Sequence, residues 1–299
     1  MLSVSKYINK PSLIVQSILR RLTFIPDALY LKWMYRFKMG KKLNLSNPTT
    51  FNEKLQWLKL NFRKDEMTTL VDKAAVKEYL RDRIDSGYLI PTIALYDTAE
   101  EIDWQSLPNK FVVKTTNGGG NTSVFICRDK KIFDIPQAIT KLKKSLKVDF
   151  YKHSREWPYK NVKPKVIVEE LLEDKSNKDL PDYKFLCFNG KPELLFIATG
   201  RQENPEPYFN FYDMDGKELD LMQGHPRNPI PPQIPVNFDV MKKLASEISA
   251  GYPHMRVDFY EVNGHVFVGE LTFFHFAGFR PFVPEIWDNR LGELIKLPI

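Results

Sequence analysis

Cysteine is scarce in this sequence. Its 299 residues include two, Cys127 and Cys187, with no CxxC spacing. That excludes a disulfide framework and a thiolate zinc site, and it suits a reducing compartment. The five histidines (His153, His225, His254, His265 and His275) show no HExxH spacing, which removes a zincin-type metal site. No apolar run reaches the roughly eighteen residues that a membrane span needs. The first residues lack the long apolar stretch and small-residue cleavage site of a secretory signal. There is no internal repeat. Neither the G-x-x-x-x-G-K-[ST] phosphate loop nor the G-x-G-x-x-G dinucleotide fingerprint occurs.

Net positive charge is missing from most of the chain as well. The net charge is +7, but residues 1–42 hold nine Lys/Arg against one acid, Asp27, for +8. The remainder holds 35 basic and 36 acidic residues, for −1. A near-neutral body with one basic end is unlike a nucleic-acid binder, whose positive charge spreads over a face. Residues 1–24 set Leu13, Ile14, Val15, Ile18, Leu19 and Leu22 beside Lys10, Arg20 and Arg21. This is the pattern of a basic amphipathic helix, which either lies on an anionic membrane surface or packs on the body.

What is present divides into helices first and strands later. Residues 27–39 read as a helix capped by Asp27 and ended by Gly40. Thr50 and Glu53 have capping-box spacing ahead of Leu55, Leu58 and Leu60. Residues 66–87 read as helical, 88–96 as a strand, 98–106 as a short acidic helix, and 135–149 as a basic amphipathic helix. Seven of the 21 prolines fall in 201–237, which predicts an ordered excursion with little regular structure. Within it, Asp213-Met-Asp215-Gly216 opens like a calcium loop, but Gly224 stands where that loop needs glutamate, so a hairpin turn is expected. Residues 238–250 read as a helix.

Three β-rich stretches carry the polar residues of interest. Lys110–Lys114, the turn Asn117-Gly118-Gly119-Gly120, and Thr122–Cys127 form strand, turn, strand. Three consecutive glycines let backbone N–H groups approach an anion, and Lys114 ends the strand that precedes them. Residues 165–172 are a buried-type strand running into Glu169-Glu170-Leu171-Leu172. Asp182–Ala198 is an Asn-Gly hairpin bearing Lys184. Last comes Arg256-Val-Asp258, then Asn263-Gly264, then Glu270-Leu-Thr272. An Asn-Gly pair between β-rich runs predicts a tight hairpin. Alternation then puts Arg256 and Asp258 on one face, which Glu270 and Thr272 can share. Two carboxylates, a guanidinium and a hydroxyl would suit a hard cation that holds phosphates. A charged, solvated hairpin face is the plainer alternative for that stretch, and a plain hairpin is the alternative for the glycine turn.

In this order the pieces resemble the ATP-grasp superfamily, and more closely the TupA-like ATP-grasp family of bacterial cell-surface polysaccharide biosynthesis. The carriers of the resemblance are Pro48–Lys54, Asp72-Lys73, Leu107–Lys114, Asn117–Gly120, Glu169–Leu172, Asp182–Phe185 with Cys187–Gly190, Arg256–Phe259 and Gly269–Phe273. Gly278 and the stretch from Pro284 to Gly292 add to it. The resemblance implies an α+β class and the ATP-grasp fold, two α+β lobes clasping ATP, with a helical N-terminal extension. It divides the chain into a helical basic region (1–65), a small lobe (66–108), a Gly-rich β lobe (109–172) and a metal-binding lobe (173–299) with the Pro-rich excursion 201–237.

The resemblance also assigns roles. Lys73 and Lys114 would contact the phosphates of ATP, with Gly118, Gly119 and Gly120 as a lid. Glu169, Glu170, Leu171 and Leu172 would line the adenine pocket, and Glu173 or Asp174 would reach the ribose. Lys184 would meet the γ-phosphate, and Arg256 would stabilise the transferring group. Asp258, Glu270 and Thr272 would hold Mg²⁺, although many ATP-grasp ligases carry asparagine where Thr272 stands. His275 is a candidate base for an attacking amine, or else a core histidine among Phe273, Phe274 and Phe276. Arg155, Lys160, Arg201 and Arg280 are candidates for a uronate carboxylate, and Tyr208, Tyr212 and Trp287 for sugar stacking.

The function implied is an ATP- and Mg²⁺-dependent carboxylate–amine ligase. It would act through an acyl phosphate and join an amino acid or other amine to a uronic acid of a capsular polysaccharide or its precursor. The alternatives are a glycosyltransferase of the same biosynthesis, a sugar kinase on the same scaffold, and a nucleotide-binding regulator. The expected location is the cytoplasm, with peripheral contact at an anionic membrane through residues 1–42. Nucleic acid is not expected as a partner.

Overall fold

The computed structural model describes residues 22, 24–118, 124–175, 180–201 and 206–298. Most of the expected amphipathic segment 1–24, and Gly119 and Gly120, lie outside the described residues.

Two antiparallel sheets organise the chain. The first has the order β1-β4-β2-β3, built from β1 (Thr92–Tyr96), β2 (Phe111–Thr115), β3 (Val124–Cys127) and β4 (Val166–Glu169). The second has the order β10-β9-β5-β6-β7. Its strands are β5 (Asp182–Phe188), β6 (Lys191–Thr199), β7 (Tyr208–Tyr212), β9 (His254–Val262) and β10 (His265–Thr272). A two-stranded ribbon pairs β8 (Met222–Gln223) with β11 (Phe282–Val283). β1 crosses the division expected at residue 108, since it pairs with β4.

Turn chemistry fixes both long hairpins. Asn189-Gly190 and Asn263-Gly264 all take positive φ, from 50° to 80°, as a two-residue type I′ connection requires. The sheet interiors follow the alternation of apolar residues. Phe185, Leu195, Ile197, Met255, Val257 and Phe259 are buried in the main core, and Phe111, Val113, Val166 and Val168 in a smaller one. Helix α7 (Phe238–Ser249) covers the large sheet with Met241, Leu244, Ala245 and Ile248. Helix α5 (Ile135–Leu146) covers the small sheet through Ala138 and Leu142.

The helical stretches expected before β2 differ from the structure in three places. Helix α1 (Asp27–Met39) begins after Pro26 with no side-chain cap. Asp27 is not the cap; its carboxylate accepts from the Tyr151 hydroxyl at 2.7 Å. Residues 66–87 break into α3 (Glu66–Val71) and α4 (Ala75–Arg81). Between them the Asp72 carboxylate accepts from the N–H groups of Ala74 and Ala75, at 2.8 and 2.9 Å, and so starts the second helix. The acidic stretch 98–106 forms turns and no helix. Ala99 and Ile102 are buried in the smaller core, and Trp104 packs against it beside Phe111 and Phe133.

Elsewhere the local rules hold. Thr50 and Glu53 make the capping box of α2 (Phe51–Asn61), and Gly40 ends α1 in the left-handed region. The Pro-rich excursion contains more regular structure than expected, since β7 extends the large sheet. Asp213–Gly216 is a turn in which Asp213 Oδ1 accepts from Asp215 and Lys217.

Helix α2 packs against the last helix, α8 (Ile286–Leu294). Asn52 donates to Asp288 from both backbone and side chain at 2.9 Å. Lys54 donates to the carbonyls of Gly292 and Ile295 at 2.8 Å.

Candidate active site

One row of polar residues crosses three adjacent strands. Lys184 on β5 pairs in register with Asp258 on β9, and Asp258 with Glu270 on β10. The next row along the same face holds Leu186, Arg256 and Thr272. A bulge makes this alignment. From His265 to Val268 the ladder runs without a break, and it would set Gly269 opposite Asp258. The register shifts there by one residue, so Glu270 takes the place. A one-residue slip turns every later side chain to the other face. Gly269 suits the bulge because a Cβ there would lie 2.9 Å from the Tyr260 ring.

The charges on this face compensate one another closely. Arg256 holds Asp258 through two donors, Nε at 2.6 Å and Nη2 at 2.8 Å, and Nη2 also reaches Glu270 at 3.5 Å. Lys184 donates to Asp258 and lies 3.6 Å from Asp182. Lys73 Nζ stands 3.0 Å from Glu270 and also donates to the Gly118 carbonyl. Burial alone would raise the Glu270 carboxyl, but Lys73, Arg256 and Lys184 outweigh it and hold the pKa at about 2. Burial opposes the Arg256 charge, and Asp258 and Glu270 overcome it, raising that pKa. For Lys184 burial wins over Asp258, and its pKa is lowered.

A second cluster sits on the small sheet. Glu169 is 2 % exposed and lies between Lys77 and Lys114, each at 2.5 Å. Lys77 is fixed further by donating to the Ile90 carbonyl at 2.7 Å and to Thr92 at 2.9 Å. Burial raises the Glu169 carboxyl and the two lysines more than reverse it. Lys73 connects the clusters: its N–H donates to the Thr116 carbonyl past the end of β2, while its ammonium reaches Glu270 on the other sheet.

Several expected residues stand elsewhere or do other work. Glu169 is held in ion pairs by Lys77 and Lys114. Glu170 is exposed, with its N–H on the Pro91 carbonyl, and Leu171 and Leu172 are half-buried beside it. The Asp174 carboxylate accepts from the Asn263 N–H at 2.7 Å, so it caps the β9–β10 turn instead of standing open to a ribose. Glu173 pairs with Lys110 at 2.6 Å. Gly118 takes φ 66° beneath Phe150, whose ring would lie 2.2 Å from an added Cβ.

His275 is not placed as a base. It is fully buried. Nδ1 faces Arg256 Nη1 at 3.2 Å, and Nε2 faces Gln223 Oε1 at 2.9 Å. Burial, then the Arg256 charge, holds its pKa well below the usual histidine value. With both nitrogens engaged, no lone pair is available to an amine.

Most of the expected acceptor residues are structural. Arg155 is buried, with its guanidinium 4.2 Å from the Tyr30 ring centroid and 3.4 Å from Asp27. Lys160 lies over Tyr151 at 5.3 Å. The Tyr212 hydroxyl donates to Pro232 at 2.8 Å, and the Trp287 indole to Asp220 at 3.1 Å. Arg201 pairs with Asp182. Tyr208 is half-buried, and Arg280 is exposed, its guanidinium 5.9 Å from the Phe276 ring centroid.

Four contributors escaped the sequence reading. Lys77 had a signal, its four-residue spacing from Lys73. Gln223 had none, because its partner is 52 residues away. Glu156 and Tyr159 stand close enough to Arg256 and Glu270 for their charges to interact, and burial raises both of their pKa values.

Among the described residues no three His, Cys, Asp or Glu side chains converge as a metal cage. Two carboxylates, Asp258 and Glu270, stand together instead. That set fits Mg²⁺, which typically takes one or two protein carboxylates and fills its remaining positions with water and phosphate oxygens.

The profile of the TupA-like ATP-grasp family matches residues 53–296. Among curated proteins none is significantly similar in sequence. Solved structures with a similar fold include D-alanine–D-alanine ligase from Bacillus anthracis, at 17 % identity and TM-score 0.39 over 69 % of this chain. N5-carboxyaminoimidazole synthase from Aspergillus clavatus, in complex with ADP, aligns over 77 % at 14 % identity and TM-score 0.42. The alignments span 57 % and 52 % of those two proteins' own lengths. The family match runs through α2, both polar clusters and the α8 contact, and on it the chain belongs to the TupA-like ATP-grasp family.

Proposed function

We propose that this protein is an ATP- and Mg²⁺-dependent carboxylate–amine ligase that joins an amine or amino acid to a uronic acid of a bacterial surface polysaccharide or its precursor. The row Lys184–Asp258–Glu270, flanked by Lys73 and Arg256, carries the reading. Phosphoryl transfer needs positioning and charge neutralisation more than a covalent nucleophile. Lysines 73, 114 and 184 would neutralise phosphate oxygens, and Asp258 and Glu270 would hold the cation, which offsets charge developing between the phosphates. A carboxylate oxygen of the acceptor bonds to the γ-phosphorus and ADP leaves. Arg256 balances charge on the acyl phosphate. The amine nitrogen then bonds to the acyl carbon, the bond from that carbon to the phosphate oxygen breaks, and the departing phosphate takes up the amine's proton.

The test is product analysis with ATP, Mg²⁺, pooled amino acids and uronate glycans. Formation of ADP and phosphate only when amine and uronate are both present, with an amide in the product mass, is the expected result. Phosphate retained on the sugar would make the protein a kinase. Turnover of a nucleotide-sugar without ATP would overturn the reading.

The same reading includes a membrane contact. On α1, Leu29, Trp33 and Phe37 recur every four residues and are 39–40 % exposed. Lys32 and Arg36 are exposed on the adjoining strip. Aromatics beside cations suit the interface of an anionic bilayer. No described helix is long and apolar enough to cross a membrane.

A further inference from the structure

We infer that His275 is a positioning residue for Arg256: a neutral imidazole with its proton on Nε2, which accepts a hydrogen bond from the guanidinium at Nδ1 and fixes where that charge stands. The inference rests on the proposed role of Arg256 toward the acyl phosphate.

Donor and acceptor chemistry sets the polarity of the chain of bonds. A guanidinium has donors and no acceptor, so His275 Nδ1, 3.2 Å from Arg256 Nη1, must supply the lone pair. Gln223 Nε2 donates to the Arg280 carbonyl at 3.1 Å. Its Oε1 is thereby turned toward the ring and takes the Nε2–H at 2.9 Å. Each bond thus selects the same tautomer.

The ring is also held in place. Phe276, Ala277 and Gly278 follow it with φ of 48°, 54° and 63°. Two non-glycine residues in the left-handed region persist only where their surroundings over-determine them. Helix α2 supplies that hold. Gln56 donates to the carbonyls of Ala277 and Gly278 at 3.1 and 2.8 Å, and the fully buried Lys59 donates to Ala277 at 2.7 Å. Phe196 and Phe276 pack on the imidazole with centroids at 5.3 and 4.6 Å.

The other partners of Arg256 are carboxylates, Asp258 and Glu270. Both are also the proposed cation ligands, so their grip on the guanidinium competes with another positive charge. A neutral buried imidazole has no such competitor. It anchors the fork while the carboxylates change partners.

The test compares substitutions that keep or remove one acceptor atom. Asparagine at 275 sets an oxygen near the Nδ1 position; glutamine sets its polar group nearer Nε2; leucine supplies neither. In the ligase assay, His275→Asn should keep kcat within about threefold. His275→Gln and His275→Leu should lose about tenfold or more in kcat, with KM for ATP changed by less than about threefold. Separately, long-range ¹H–¹⁵N correlation of the wild-type ring, assigned by its loss in His275→Asn, should show a protonated Nε2 and an unprotonated Nδ1 at neutral pH.

Equal activity of the asparagine and glutamine variants would overturn the inference. So would equal loss in the asparagine and leucine variants, which would mark proton transfer, or a protonated Nδ1. The ring measurement needs no turnover. A wild type that consumes no ATP would therefore sink the proposed function while the tautomer still decides this point.

Discussion

Asp258 stands opposite Glu270 because the strand carrying Glu270 contains one residue too many. Without the bulge at Gly269, Glu270 would pair with Val257 and point into the core, and Thr272 would follow it. A valine at 269 would press on Tyr260, whose ring lies 2.9 Å from the Cβ position. Gly269→Val should cost about 1–3 kcal/mol in urea unfolding, as other overpacked sites do. Adding Tyr260→Leu should recover part of that loss. A double-mutant cycle with no coupling between 269 and 260 would show that the ring is not the obstacle.

The carboxylates should separate chemistry from stability. Asp258→Asn and Glu270→Gln should each lower ATP-dependent ADP formation about a hundredfold or more, since each removes a proposed cation ligand. Asp258 also neutralises Lys184 and Arg256, and its side chain is 3 % exposed against 27 % for Glu270. Asp258→Asn should therefore also destabilise by about 3–5 kcal/mol, the usual cost of a buried charge left unpaired. Glu270→Gln should cost less. Full activity in either variant would remove the assignment.

The hairpins were legible because their signals are local. Asn189-Gly190 and Asn263-Gly264 demand positive φ within two residues, and Thr50 with Glu53 closes a cap within four. The shared face of Arg256 and Asp258 follows from alternation alone. The partners of Glu169, Asp174 and His275 were not legible, because they come from distant parts of the chain: Lys77 on α4 and Lys114 on β2, Asn263 in a hairpin turn, and Gln223 with Arg256. The surroundings of the acceptor candidates were hidden for a similar reason. Nothing near Arg155 in the sequence announces Tyr30 and Asp27, which bury it.

Acid should unfold this protein in stages. Burial pushes His254 down to about 3, where its ring sits between Phe51 and Phe188 with Nδ1–H on the Cys187 carbonyl. Between pH 6.5 and about 3 the unfolded chain binds a proton there that the folded chain does not, so stability falls as pH drops through that window. Glu270, held at about 2, adds a later loss, fully avoided above the ordinary carboxylate range and complete only near pH 2. Urea midpoints measured from pH 7 to 4 should slope less in His254→Phe than in wild type. Parallel slopes would show that His254 is not the sensor.

The exposed stripe on α1 can be tested with vesicles. Wild-type protein should co-sediment with phosphatidylcholine vesicles containing about 30 % phosphatidylglycerol, more weakly as salt rises, and little with pure phosphatidylcholine. Trp33→Glu with Phe37→Glu should reduce that binding at least about tenfold. Undiminished binding by this double variant would move the contact to another part of the chain.

The grip of α2 on α8 has a consequence for how the protein is made. Asn52 and Lys54 leave the ribosome about 240 residues before Asp288, Gly292 and Ile295, the groups they bind. At roughly 5–20 residues per second, that is a wait of about ten to fifty seconds. During it, Phe51 and Leu55 have no finished core to enter. The nascent chain thus exposes the Phe51–Leu55 side of α2 until α8 has been synthesised.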